Sequence, residues 1–399
     1  METRRTNQQI FSLFLCNFAI LFVGMGVFPL LPIYAAGFGA SPSLIGVYLA
    51  VTYGAITMGT MLTGWLSGRL SRKAVFVAAG ALGVPALILL GQATALWQVV
   101  VFTSIVWFTG GIGIALVSVF IGLHASEQSR GKWFSLISLA TPLGAIIGGS
   151  SVGWLVDRQG YPQMFAVLGL IYALWPLVGL FMVKDKPVAR KVKPGPANMN
   201  SARPGKGFHL LLLGILLSAM TISVSRLGLS LSMKASQFSP AAIAGASGIG
   251  GLVTIPVVLG FGVLSDRLGR RLFLILGYLL AASSAITLVI ANQLWHFWAA
   301  AAAMLLARSI SGSLASALAT DILPPEALSR GLPWLGTMTW VAGVLGFAAS
   351  GYMIDTLGAD NLYWIAAALS LAAATITGLQ RERAKEATQS VPRSLRASA

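Results

Sequence analysis

Two arginines stand where charge is costly. Arg308 lies about 13 residues into a predicted helix over roughly 295–320, near mid-membrane at a rise of 1.5 Å per residue. Arg226 lies inside another apolar run. An arginine at that depth costs several kcal/mol unless it meets water, a carbonyl or an anion, so it marks a site by default. No Asp or Glu shares the depth of Arg308: Glu127 and Asp321 fall at one set of helix ends, and Asp157, Asp355 and Asp360 at the other. Arg308 is expected to face a central cavity and bind carbonyls, water or an anionic group; the alternative is a structural arginine bonded to backbone where helices meet. Arg226 precedes Lys234 by eight residues and has two routes, lining the cavity or reaching the surface along its stem. Asn17 is either a cavity group or a helix–helix bond. Trp107, Phe108 and Trp340, with Trp334, are candidates for an apolar cavity wall. His124, His209 and His296 sit at helix ends without metal-ligand spacing. No nucleotide-binding loop or triad spacing occurs, so no enzyme activity, cofactor or metal is expected.

The elements that position these residues follow from composition. The chain has 399 residues, 56% apolar and only 10% charged, with mean hydropathy +0.81. Residues 6–68, 74–126, 133–156, 159–183, 235–265 and 272–307 contain no charged residue. A hydrocarbon core of about 30 Å needs about 20 helical residues, so the first two stretches each hold two spans. Long continuous runs exclude a barrel, whose strands would alternate apolar and polar over about ten residues. Forty-five glycines suit close packing of membrane helices. The single Cys16 excludes an internal disulfide.

These signals predict an all-α integral membrane fold of twelve spans, at roughly 9–36, 43–67, 74–95, 97–123, 133–156, 162–183, 208–233, 240–264, 272–291, 295–320, 333–356 and 361–380. A net charge of +16 suggests nucleic acid until the charges are placed. Of the 27 Lys and Arg, only Arg158 and Lys234 fall on one side of the predicted spans, and only Arg226 and Arg308 inside them. That asymmetry is topological: both termini and the basic loops are expected in the cytoplasm of a plasma (inner) membrane protein, with no nucleic acid partner. The polar segment KDKPVARKVKPGPANMNSARPGK at 184–206 is expected to be a flexible basic linker. It divides the chain into six-helix bundles at 1–183 and 207–380, followed by a disordered cytoplasmic tail at 381–399.

The two bundles repeat. GWLSGRLSRK at 64–73 returns as GVLSDRLGRR at 262–271, SRG at 129–131 as 329–331, and GWLVDRQG at 153–160 as GYMIDTLG at 351–358. A near-constant offset over three pairs marks a duplicated membrane bundle. Twelve spans, a central basic linker and G-x-L-x-D-R-x-G-R-R after the second span of a repeat resemble the major facilitator superfamily, over the whole chain. The resemblance implies that Gly262, Asp266, Arg267, Gly269, Arg270 and Arg271 form a gating loop that latches the bundles in an outward-facing state. In the first copy Gly64, Arg69, Arg72 and Lys73 remain, while Gly68 and Ser71 replace the family's Asp and Gly. An aromatic, Trp107, stands where relatives often carry an arginine. Its repeat counterpart region holds Arg308.

Pro142, Gly144, Gly148 and Gly149 resemble the family's antiporter element in the fifth span, with Ala145 in place of its proline. The resemblance implies a secondary transporter moving a small-molecule substrate across the lipid bilayer by alternating access, a monomer being mechanically sufficient. The fifth-span glycines and the aromatics incline this to efflux of amphipathic compounds. An importer or facilitator of an organic anion, drawn to Arg308 and Arg226, is one alternative, and a non-transporting membrane sensor with this fold is another. Protons are a candidate coupling ion, although no intramembrane carboxylate carries them; His124 and Glu127 lie at the mouth.

Overall fold

The computed structural model describes residues 2–124, 130–185, 205–323 and 325–389. The described residues contain helices and no strand. The first repeat comprises α1 (Glu2–Val27), a short 3₁₀ turn (Phe28–Leu30), α2 (Leu31–Ala36), α3 (Pro42–Arg69), α4 (Arg72–Gly91), α5 (Leu96–His124), α6 (Arg130–Ser138), α7 (Ala140–Tyr172) and α8 (Leu174–Phe181). The second comprises α9 (Lys206–Ala235), α10 (Pro240–Leu268), α11 (Arg270–Val289), α12 (Leu294–Ile322), α13 (Pro325–Leu357) and α14 (Ala359–Gln389).

Eleven of these segments are long and apolar enough to cross a membrane. One of them, Trp133–Phe181, has 49 residues, about 73 Å if straight and so more than twice a bilayer core. It is not straight. The backbone of α7 leaves the helix at Gly160, with φ 80° and ψ 174°, two residues before Pro162. Gly358, 198 residues later, adopts φ 83°, and a second pair with the same separation, Gly39 (φ 77°) and Gln237 (φ 60°), also takes positive φ. The repeat is thus written into the backbone of its turns as well as into its loop motifs. These four turns lie at the face opposite the basic loops, here called the opposite face.

A methyl group added at Gly160 would meet nothing closer than 3.8 Å, and at Gly358 nothing within 4 Å. Replacing either by Ala therefore isolates backbone strain. Gly160→Ala and Gly358→Ala are each expected to cost about 1–2 kcal/mol, read as a lowered midpoint in thermal unfolding of the detergent-solubilised protein.

Helices from the two repeats cross over one another. The longest contacts between repeats run α7 against α10 and α3 against α13, and each is made by glycine. A Cβ at Gly46 would lie 2.5 Å from the Phe347 carbonyl, one at Gly153 2.5 Å from the Pro240 carbonyl, and one at Gly149 2.6 Å from the Gly248 nitrogen. Gly351, the repeat counterpart of Gly153, abuts the Pro42 carbonyl in the same way. Such approach is what small residues give membrane helices that have no hydrophobic drive to associate.

The structure departs from the sequence reading at the C-terminal polar segment. Helix α14 continues to Gln389, in place of the disordered tail expected from 381; the stretch RERAKEATQ is rich in good helix formers and extends the span into water. Residues 390–399 lie outside the described residues, as do 186–204 of the linker. The start of that linker is held. Gln9 Nε2 donates to the Lys184 carbonyl at 3.3 Å, and the Lys184 nitrogen donates back to Gln9 Oε1 at 3.1 Å.

Candidate functional site

The first helix supplies the floor of the site because it cannot stay regular. Pro29 and Pro32 lack the amide protons an α-helix needs, and the chain passes through the 3₁₀ turn Phe28–Leu30. That turn holds the Phe28 ring among aromatics from other helices. Its centroid lies 5.8 Å from Tyr53, 6.4 Å from Trp107 and 5.7 Å from Phe347, and Tyr53 lies 5.8 Å from Trp340. Gly343 leaves the space the Tyr53 ring occupies.

Within this cage is a cavity of about 100 Å³, walled by residues of both repeats that include Met25, Phe28, Tyr53, Trp107, Arg226, Arg308 and Trp340. Arg226 does not run to the surface. Its guanidinium stacks 3.7 Å from the Phe28 ring centroid, and its Nη1 donates to the Tyr53 hydroxyl at 2.8 Å. A cation over an aromatic face away from water is worth about 2 kcal/mol, which holds the side chain inward against the pull of the interface. Arg308 lines the same cavity as Tyr53 and Arg226. At 1.5 Å per residue, the Arg226 backbone sits about 13 Å from the opposite-face end of α9 and that of Arg308 about 21 Å from that end of α12, so the two side chains enter the cavity from different depths.

Arg308 also borders a second cavity of about 190 Å³ toward the basic face, whose wall includes Ser218, Ser311, Ser316 and Thr339. One arginine therefore separates an aromatic chamber from a hydroxyl-lined one. The residues lining the described cavities include no Asp or Glu, and no cluster of His, Cys, Asp and Glu suited to a metal occurs among the described residues.

Of the residues singled out from sequence, Arg308, Arg226, Trp107 and Trp340 come together in the central cavity. Asn17 does not. It is 4% exposed, and its Nδ2 donates to the Ile137 carbonyl at 3.3 Å, so it ties α1 to α6. Phe108 is not among the residues that line the central cavity, and its backbone carbonyl packs onto Gly59 of α3. Trp334 is 52% exposed. Sequence reasoning misses Phe28 and Tyr53. The available signal is depth: Tyr53 sits 11 residues into the 28-residue α3, far from the interfacial belts that tyrosines favour in membranes.

The fifth-span residues act as contact surfaces. Gly144 and Gly148 press on the backbone of α1 at Leu21, Phe22 and Gly26, while Gly149 meets α10. The helix is interrupted at Leu139, three residues before Pro142, whose nitrogen has no proton for the Ser138 carbonyl.

The two basic loops differ in build. Gly269 ends α10 and starts α11 with φ 101°, a conformation that suits glycine. Its counterpart Ser71 has φ −64° and caps α4 instead, accepting from the Ala74 nitrogen at 3.1 Å. The first loop thus exchanges a left-handed turn for a side-chain cap. Arg270 Nη1 donates to Asp321 Oδ1 at 3.0 Å and to the Ala317 carbonyl at 3.2 Å, and Arg271 Nε to the Thr377 carbonyl at 2.7 Å. Arg72 Nε meets Asp185 Oδ1 at 3.2 Å. Asp321, Ala317 and Thr377 belong to the second repeat, as Arg270 and Arg271 do, and Asp185 belongs to the start of the linker. Arg69 lies over Trp65 at 4.2 Å, Lys73 is half-buried in the first turn of α4, and nothing lies within 4 Å of a Cβ built at Gly64. Asp266 and Arg267 are on α10, but their side chains, and the surroundings of Gly262, lie outside the described residues.

At the opposite face two carboxylates cross between repeats. Asp355 Oδ2 accepts from the Ser43 backbone nitrogen at 2.9 Å and from its hydroxyl, at the start of α3. Asp157 Oδ2 accepts from the Ala241 nitrogen at 3.2 Å, at the start of α10. Both pairs join equivalent positions 198 residues apart in the repeat, and each places an anion on a helix N-terminus.

Comparison with known proteins agrees with this architecture. The profile of the Major Facilitator Superfamily matches residues 13–210 and again 211–398. The chain is 24% identical over 389 residues to the multidrug resistance protein MdtG of Proteus mirabilis strain HI4320, covering 92% of this chain and 94% of that protein. It is 24% identical over 274 residues to the protein of the same name from Klebsiella pneumoniae strain 342, covering 64% and 65%. Among solved structures, a peptide transporter of the POT family in complex with sulfate superposes with TM-score 0.75 at 14% identity, covering 95% of this chain and 94% of that one. A mutant of the nucleoside transporter NupG gives TM-score 0.75 at 15% identity, covering 93% and 99%. Two profile matches in tandem, one per repeat and together spanning nearly the whole sequence, leave one conclusion: the chain belongs to the Major Facilitator Superfamily.

Proposed function

We propose that this membrane transporter exports amphipathic small molecules by alternating access. In this reading the break at Gly160 divides one long segment in two, giving twelve spans. They form two six-helix bundles, 1–183 and 207–380, joined by the linker 184–206. The basic face and both termini lie in the cytoplasm, the opposite face outside the plasma (inner) membrane, and a monomer carries the whole path.

The observation that carries the reading is the central cavity. It lies where the repeats meet, is walled largely by aromatic and aliphatic side chains, and connects through Arg308 to a chamber on the basic side. The names of the MdtG relatives support drug export as the class of cargo. Drug-sized sites occupy about 300–1,000 Å³, so a cavity of about 100 Å³ fits an intermediate closed toward the outside rather than a loaded state.

The test is a panel of fluorescent amphiphiles in proteoliposomes of defined orientation, with and without an imposed pH gradient. Movement that exceeds protein-free vesicles supports transport, and acceleration by the gradient identifies protons as the coupling ion. Absence of movement across the panel counts against the reading.

The crossed carboxylates supply a second measurement. If Asp157 and Asp355 stabilise the outside-closed form through helix N-termini, each is worth about 0.5–1 kcal/mol, and Asp157→Ala/Asp355→Ala together shift the balance roughly tenfold toward outside-open. A cysteine placed at Met25, on the cavity wall, reports this as faster labelling by an impermeant maleimide added outside. The native Cys16 is buried and is the only cysteine, so background labelling is low.

A further inference from the structure

We propose that Arg308, Arg226 and Tyr53 form one recognition site for the anionic headgroup of an amphipathic substrate, a carboxylate, sulfonate or phosphonate. Its apolar body would lie against Phe28 and Trp107. The proposal rests on the transport reading above, and it holds for either direction of movement.

Each guanidinium carries five N–H donors and accepts nothing, whereas a phenol hydroxyl offers two lone pairs. The Tyr53 hydroxyl takes a bond from Arg226 Nη1 at 2.8 Å, and Tyr53, Arg226 and Arg308 line the same cavities, so one small acceptor serves a space that holds two cations. The walls of the described cavities add no carboxylate. Two cations held inside one cavity repel each other, and every carboxylate, sulfonate or phosphonate oxygen placed between them relieves that repulsion while accepting N–H bonds. A guanidinium matches such groups two oxygens at a time, which an ammonium does not.

The Arg226 cation is also held rigidly. Arg226 is fixed by the face of Phe28 at 3.7 Å and by Tyr53, and Tyr53 is fixed by Phe347 at 4.8 Å and Trp340 at 5.8 Å. A preorganised cation spends little entropy when its ligand arrives. Polarity differs on the two sides of Arg308. Toward the basic face Arg308 looks into a chamber with Ser218, Ser311, Ser316 and Thr339, a path a hydrated headgroup tolerates. Beyond it, Trp107, Phe28, Met25 and Val106 offer an apolar surface and no formal negative charge. Because the arginines enter the cavity from different depths, a headgroup entering from the basic side meets Arg308 first and can pass to Arg226 without leaving a cation.

A charge-matched pair of probes tests the assignment. 2-Naphthoate and neutral 2-naphthamide share one ring system and differ in the charge of the head. Binding of each to the full chain in dodecyl maltoside is measured by equilibrium dialysis. We expect the anion to bind at least tenfold more tightly than the amide. Arg308→Gln and Arg226→Gln should each remove at least tenfold of the naphthoate affinity and leave naphthamide unchanged, and Arg308→Lys should recover part of the loss. Thermal unfolding of each variant checks that it is folded. Equal affinities for the two probes overturn the proposal, as does an anion preference that survives in the doubly substituted Arg226→Gln/Arg308→Gln protein. The same preparations in proteoliposomes keep the two readings apart. Transport without anion preference removes the headgroup site and leaves the transporter; anion preference without transport of either probe removes the transporter and leaves the site.

Discussion

Replacing Arg308 by Ala is expected to abolish transport while membrane insertion and thermal stability stay at or above the level of the unchanged protein. The combination is unusual, and it follows from where the residue stands. A buried cation that contributes chiefly to structure destabilises the fold when removed, because its partners are left without it. Arg308 borders the central cavity and the hydroxyl-lined chamber, and the described walls of both contain no carboxylate that its removal would strand. Deleting the charge also removes the cost of holding it near mid-membrane, so the folded state loses little and can gain. Substrate binding loses a charged hydrogen-bonding group worth about 1.5–3 kcal/mol, a factor of roughly 10–150 in affinity. Initial rates in proteoliposomes, set beside unfolding midpoints of the same preparations, check the prediction. Unchanged rates would take Arg308 out of the mechanism, and a large fall in stability would make it a structural arginine.

Much of this arrangement was legible in the sequence because membranes make charge informative. The runs without charge point to helices, the basic loops carry the expected sidedness, and a lone arginine in such a run has few innocent explanations. The repeats were legible for a different reason. GWLVDRQG and GYMIDTLG share glycines and an Asp whose purpose is visible only when the chain is folded: Gly153 and Gly351 take the carbonyls of Pro240 and Pro42, and Asp157 and Asp355 take the helix starts beside them. The sequence pairs each motif with its copy, whereas the structure pairs each motif with the other repeat's proline turn. Periodicity within one helix carries no information about that crossing.

The cavity was half legible. Charge pointed to Arg226 and Arg308, yet whether Arg226 faces inward is decided by Phe28 and Tyr53, from two other helices. Asn17 and Phe108 resemble cavity residues in sequence because a polar or aromatic side chain in an apolar run can serve packing as readily as a ligand. The Ile137 carbonyl claims the first, and the second packs its backbone carbonyl onto Gly59. The first basic loop carried its own ambiguity. Losing Asp and Gly at 68 and 71 looks like decay, but Ser71 caps α4 and Asp185, far along the chain, meets Arg72.

In the proposed cycle, closure at the opposite face yields the other large effect. Gly153→Leu and Gly351→Leu are each expected to hold the protein open to the outside and to reduce transport by roughly 100-fold or more. At Gly153 an added Cβ would lie 2.5 Å from the Pro240 carbonyl and 2.6 Å from the Ala241 Cα. At Gly351 it would overlap the Pro42 carbonyl and lie 2.9 Å from the Gly46 Cα. In both cases the obstacle is backbone of the other repeat, which cannot rotate aside as a side chain would. Overpacking of this kind costs about 1–3 kcal/mol, occasionally more, and at 3 kcal/mol the closed form is depleted roughly 150-fold. The cost falls on the closed form alone, because the obstructing atoms belong to the facing repeat and withdraw when the two part. Each half should therefore still fold and insert. Labelling of a Met25→Cys protein from outside should accelerate in both variants while transport falls, and Gly54→Ala, where nothing lies within 4 Å of the added methyl, should change neither. Slower labelling with lost transport would place the obstruction on the wrong side of the cycle. Equal sensitivity at Gly153 and Gly351 would show that closure is shared by the two crossed contacts, as their matching positions in the repeat require.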